Sequence, residues 1–276
     1  MRLTELLVAP SATYGEAILD EEARLSVYSE FFATYASYML GCGATCIRIS
    51  KNLHRMGGAV NVKVDMMILS HHVTVICTDS TTGLYVQHTK RIAPVPVSFE
   101  MNTRLSELSW KIAENTVTME EAQAMFYRII KHPPMSVWKV MWLVVAANAS
   151  FCYLFGGDPG AMLIVAIATL AGYTLKNVTL SRHWDVKVVW LLCSFVSALV
   201  AAALTYLPMT NTPEWATAAS VLYLIPGIPY INSISDCIDG HYMSSIGRFI
   251  HALFLTICIA IGLTAGVLMA NGSLVF

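Results

Sequence analysis

The residues best suited to chemistry lie late in the sequence, inside an apolar stretch. Leu224-Ile225-Pro226-Gly227-Ile228-Pro229-Tyr230-Ile231-Asn232 sets two prolines and a glycine into a segment that otherwise reads as a lipid-soluble helix, and Ser233, Asp236 and Asp239 follow. Each proline lacks an N–H and crowds the carbonyl four residues earlier. A helix there must break, and its freed backbone groups must find partners in protein or in a wet cavity. Asn232, Ser233, Asp236 and Asp239 are costly near lipid and are expected to face a polar interior. A broken helix lining a substrate path is the expectation; a structural kink packed on a neighbour is the plainer alternative. Gly156-Gly157-Asp158 is open between a functional turn and an ordinary tight one.

Elsewhere the chemical signals are weak. His71 and His72 point to opposite faces of a strand and cannot chelate one ion together. Cys42 and Cys46 are four apart, but Gly43 weakens any helix joining them, and small buried cysteines are common. No glycine cluster is followed by the Lys-Ser/Thr of a phosphate loop. No nucleophile and base stand at a recognisable spacing, so neither cofactor nor metal is expected.

The elements that position these residues divide between two solvents. Residues 1–139 hold 13 Lys/Arg and 13 Asp/Glu, whereas 140–276 hold 4 and 5. The first half has the charge of a water-soluble domain and the second the depletion of lipid-embedded helices. The predicted fold is a multi-pass α-helical membrane protein with an N-terminal cytoplasmic α+β domain, the domains being 1–135 and 136–276. Five apolar stretches, 137–155, 161–180, 186–207, 215–235 and 244–268, approach the twenty or so residues that cross about 30 Å of hydrocarbon. Arg128, Lys131 and Lys139 precede the first, Lys176, Arg182 and Lys187 separate the second and third, and Arg248 follows the fourth; the alternate loops have no Lys or Arg. The positive-inside rule then puts the soluble half in the cytoplasm and the C-terminus outside. A net charge of −1 offers no basic field for nucleic acid. Seven scattered cysteines form no disulfide framework, and residues 1–11 lack the apolar core of a secretory signal.

Within the first half, Leu25, Tyr28, Phe32, Tyr35, Ala36 and Met39 form an amphipathic stripe over 20–40, interrupted by Gly41 and Gly43. A second helix, 44–56, is expected to close at Gly57-Gly58. Alternation then predicts three antiparallel strands near 60–68, 73–78 and 84–92, with a turn at Asp79-Ser80-Thr81-Thr82-Gly83. Helices follow over 102–115 and from the capping box Thr118-Met119-Glu120-Glu121 to Lys131. Pro133-Pro134 breaks the chain before the apolar region.

These residues resemble the threonine/serine exporter family. The matching segments are Gly43-Ala44 with Arg48, Ser106 to Ser109 with Met119-Glu120-Glu121-Ala122, Ala147 through Phe155-Gly156-Gly157-Asp158, and Pro226-Gly227-Ile228-Pro229 with Asn232, Asp236, Gly240 and Arg248. The family usually has an acid directly after the Gly-Ala pair and another two positions after the arginine, where this chain has Thr45 and Ser50. Fused members carry about ten spans, so five resemble the larger subunit of the split form, with a second small multi-pass membrane subunit as partner in an oligomer within the bilayer of the inner membrane. Two such halves would have inverted topology. The resemblance implies export of small carboxylate-bearing metabolites, threonine/serine or a dicarboxylate such as succinate. The broken helix itself suggests the site roles: Pro226, Gly227, Pro229, Asn232 and Ser233 beside the substrate, its carboxylate received by half-helix N–H groups. Asp236 and Asp239, which repel a carboxylate when ionised, suit ion coupling, and Arg248 suits pairing with Asp236 or a second carboxylate contact. A membrane-anchored enzyme and a regulatory or assembly subunit are the alternatives.

Overall fold

The computed structural model describes residues 12–69, 71–133 and 135–272. Residues 1–11 and Pro134 of the expected break lie outside them. Two compact units emerge: one runs up to His132 and takes in Ile231–Gly247, and the other comprises Pro133–Tyr230 and the chain from Arg248 onward.

In the first unit, helix α1 (Ala12–Gly41) buries the predicted stripe: Leu25, Phe32, Tyr35, Ala36 and Met39 are all fully buried. It packs on β2 (His72–Asp79) and β3 (Tyr85–Arg91), which continue from β1 (Val62–Leu69) as an antiparallel sheet in the order β1-β2-β3. Val62, Val64, Val73, Val75 and Cys77 supply the sheet's buried face. Helix α1 stops at Gly43, whose φ of +91° suits glycine, with Gly43 N–H bonded to Leu40 O and Ala44 N–H to Met39 O, the paired bonds of a Schellman end.

Helix α2 (Cys46–Ala59) runs past the expected glycine stop. Gly57 and Gly58 lie inside its last turn, and the left-handed residue is Asn61, φ 57°. Gly57 has a different task. A Cβ there would meet Val62 O and Val64 Cγ2, each at 2.5 Å, whereas one on Gly58 would meet nothing within 4 Å. The glycine thus lets α2 lie directly on β1. Helix α3 (Phe99–Ala113) starts at an N-cap Ser98, and α4 (Met119–Ile130) opens with the predicted capping box of Thr118 and Glu121.

The β2–β3 turn is organised by Asp79. Its carboxylate takes the N–H groups of Thr81 and Thr82, each at 2.8 Å, and the Arg24 guanidinium at 2.9 Å. The Thr81 hydroxyl, then the Thr82 N–H, hold this carboxyl well below the usual carboxylate range.

The second unit holds α5 (Val137–Leu154), α6 (Pro159–Ser181), α7 (Val186–Thr205) and most of α10 (Tyr242–Ala270), all long and apolar enough to cross a membrane. Small residues set their close approach. A Cβ on Gly172 would overlap Ser197 Oγ, and one on Gly266 would meet Phe195 O at 2.6 Å. The Gly156-Gly157-Asp158 segment is a tight turn: Gly156 has φ +99°, Gly157 lies against Cys152, and Asp158 caps α6 through Ala161 N–H at 2.7 Å. Lys176, expected between the second and third spans, lies within α6.

Two outcomes test this packing. Gly57→Ala should lower stability by about 1–3 kcal/mol, while Gly58→Ala, free of clash, should be neutral or gain up to about 1 kcal/mol; thermal melts of the purified chain compare them. For Asp79 the sign is fixed by its lowered folded pKa: the stability it confers is complete above about pH 4 and fades as pH falls further. Asp79→Asn should therefore flatten the acid limb of stability against pH, and an unchanged limb would contradict the assignment.

Candidate functional site

The fourth apolar stretch is broken as its prolines require. Helix α8 (Pro213–Ala219) ends early, a 3-10 turn covers Leu222–Leu224, and α9 (Gly227–Ile238) resumes after Pro226, with a bend of 62° between the two helical pieces. Carbonyls stranded by the break are met by side chains of neighbouring helices. Trp190 Nε1 of α7 donates to Leu224 O at 2.8 Å. Asn148 Nδ2 of α5 donates to Ala219 O at 3.1 Å and to Thr169 Oγ1 at 2.6 Å. Tyr223 of the 3-10 turn shares a hydrogen bond with Ser197 at 3.0 Å. This polar seam runs through the second unit and meets the broken stretch at Ala219, Tyr223 and Leu224.

One cation lies on it. Lys176 Nζ is 4.7 Å from the centre of the Trp190 ring and 5.3 Å from that of Tyr173, so an ammonium held by aromatic faces neighbours the indole that closes the break. A cation inside an apolar helix is a signal legible in the sequence, although Lys176 is not among the candidate residues. Asn148 and Trp190 carried no such signal.

The polar residues that follow the break are bound within the first unit. Asn232, Ser233 and Asp236 share one buried face of α9, with Asp236 0 % exposed. Asn232 Nδ2 donates to Gly43 O at 2.8 Å, the corner between α1 and α2. Ser233 Oγ donates to Ser245 O at 2.9 Å at the start of α10. Asp236 reaches furthest in sequence. Its Oδ1 accepts the Cys46 N–H at 2.8 Å, its Oδ2 lies 3.2 Å from Cys46 Sγ, and the Ser244 hydroxyl donates to Oδ2 at 3.4 Å. The side chain of Thr45, the N-cap residue, makes no capping bond to α2; the carboxylate of Asp236 reaches the first helical N–H instead, where negative charge is favoured.

The remaining candidates separate. Asp239 is exposed, and Arg248 is half-buried in the second unit. His71 and His72 are both exposed, His71 in the turn before β2. Cys42 and Cys77 are buried, and burial pushes their thiols up to about 11 and about 12, so neither is a ready nucleophile near neutral pH. Among the described residues no group of three His, Cys, Asp or Glu side chains is arranged to hold a metal ion.

Comparison with known proteins follows the same pattern. The family described as "Putative threonine/serine exporter" matches residues 30–270. The chain is 26% identical over 230 residues to "Probable succinate transporter subunit YjjP" of Escherichia coli (strain K12), covering 82% of this chain and 88% of that protein. To the protein of the same description in Klebsiella aerogenes it is 25% identical over 239 residues, covering 85% and 90%. No solved structure matches. The family and these relatives are transporters, not enzymes.

If Asp236 caps α2, Asp236→Ala should lower stability by about 1–2 kcal/mol, and Asp236→Asn, which keeps an acceptor oxygen, by much less. Urea titration of the purified variants gives the comparison; equal midpoints for Ala and wild type would remove the capping role.

Proposed function

Because the chain belongs to the threonine/serine exporter family, we propose that it is one subunit of a secondary transporter that exports small carboxylate-bearing metabolites, a dicarboxylate such as succinate before threonine or serine. The observation that carries this reading is the break at Pro226–Pro229, preceded by a stretch whose Ala219, Tyr223 and Leu224 meet a polar seam, with a lysine beside its tryptophan, within otherwise apolar helices. Pro226, Gly227 and Pro229 line the path, and Lys176 offers a carboxylate its charge, while Asn232 and Ser233 hold backbone groups beyond the break. The two relatives described as succinate transporter subunits favour a dicarboxylate, and the word subunit favours a second membrane chain.

Asp236 is the coupling carboxylate, buried against Cys46 and Ser244, with Asp239 and Arg248 as the nearby charged groups in sequence. The scarcity of Lys and Arg in alternate loops supports an inner-membrane protein with residues 1–135 cytoplasmic and the C-terminus outside.

Reconstitution into liposomes tests the proposal. Succinate flux should need the partner chain, vanish in Gly227→Leu and lose its pH dependence in Asp236→Asn. Robust flux from the single purified chain would contradict the two-subunit reading. Normal flux and an unchanged pH profile in both variants would place the path elsewhere.

A further inference from the structure

A groove of about 530 Å³ lies wholly within the first unit, between α2 and α3. The two helices run in the same direction and in register. Arg48 Nη1 donates to Asn102 Oδ1 at 3.2 Å, Asn52 Nδ2 to Ser106 Oγ at 3.1 Å and Arg55 Nη1 to Ser109 Oγ at 2.7 Å, each pair 54 residues apart. Helix α2 presents Arg48, Lys51 and Arg55 to the groove, and α3 presents Ser106, Glu107 and Trp110, each set at the spacing of one helix face.

Three cations therefore meet one acid. Among the described residues none of the three forms an ion pair. Arg55 is fixed in place: its guanidinium lies 3.6 Å from the centre of the Trp110 ring and donates to Asn52 Oδ1 at 3.0 Å as well as to Ser109. Arg48 and Lys51 are exposed, so they can close on a ligand. The Cys46 N–H, at the start of α2, is committed to Asp236, so an anion entering the groove is met by side chains. No glycine lines it, and it lacks the nest of backbone N–H groups that encloses a phosphate.

The charges fall at two ends. Arg48 and Lys51 occupy one turn of α2, and Arg55 lies two turns beyond Arg48, about 10 Å along the axis. The hydroxyl of Ser106 lies between, held by Asn52, whose amide is committed to Tyr35 and Ser106. A ligand with anionic groups at both ends of a short chain matches that layout, whereas a monocarboxylate satisfies only one end. We infer that the α2–α3 groove is a binding site for a short dicarboxylate. The inference stands on these charges and does not need the path at Pro226–Pro229.

Trp110 is the only tryptophan before residue 138, which gives the site its own signal. Succinate titrated into the purified full-length chain should change the intrinsic fluorescence saturably, and the change should be absent in Trp110→Phe. Lys51→Gln should weaken binding about tenfold, Arg48→Gln with Lys51→Gln should abolish it, and Glu107→Gln should tighten it. Acetate and inorganic phosphate should not displace succinate at equal concentration. No saturable change in the wild type, an unaltered affinity in the double variant, or equal displacement by phosphate would overturn the assignment. Gly227→Leu, which blocks the proposed path, should leave this titration unchanged, so each reading can fail alone.

Discussion

A proline cannot donate a backbone hydrogen bond, and in an apolar segment a carbonyl stripped of its donor has no water to turn to. Pro226 and Pro229 impose this constraint on the fourth apolar stretch: tight turns meet Leu222 O and Ile225 O through the N–H groups of Ile225 and Gly227, and side chains of neighbouring helices meet Ala219 O and Leu224 O. Asn148, Trp190, Ser197 and Tyr223 form one polar seam along the break, and Gly172 lets the seam close, since a Cβ there would overlap both Ser197 and Tyr223. Lys176 is held against the same indole. Breaking a helix in this way provides polar groups in an apolar setting without many charged side chains, which suits a transporter of small polar metabolites.

Beyond the break, α9 pairs an apolar exposed face of Ile231, Ile234 and Ile238 with a polar buried one. Its buried face is Asn232, Ser233 and Asp236, and each of these is spent on backbone: the corner at Gly43, the start of α10, and the first turn of α2. The capping bond is the most informative, because it places at the head of α2 a carboxylate from 190 residues further along the chain. The same helix carries the cationic face of the α2–α3 groove. A change at Asp236 is thereby linked through one rigid element to Arg48, Lys51 and Arg55.

Much of this was legible in the sequence where the signal was local. The stripe from Leu25 to Met39, the alternation of β1, the Thr118–Glu121 capping box and the proline break each depend on residues a few positions apart, and each is found in the structure. Gly57-Gly58 misled because a glycine pair reads as a helix stop, whereas Gly57 serves the approach of β1 and Asn61 takes the left-handed turn. The cap on α2 is not legible in the sequence, because the acceptor of the Cys46 N–H is an aspartate 190 residues away. Lys176 reads as loop charge in the sequence because it stands close to the end of its helix. The Arg48, Lys51, Arg55 stripe was present at helical spacing, but nothing in the sequence said that α3 would lie beside it in register.

The most direct measurement of the central claim is protection of the break by substrate. In membrane vesicles carrying the complete transporter with Gly227→Cys, the rate of alkylation of the peptide containing residue 227 is followed by mass spectrometry, with and without succinate. The account predicts that succinate slows alkylation in a saturable manner, and that threonine does so less. An alkylation rate unchanged by saturating succinate, in a variant that still folds and assembles, would contradict it.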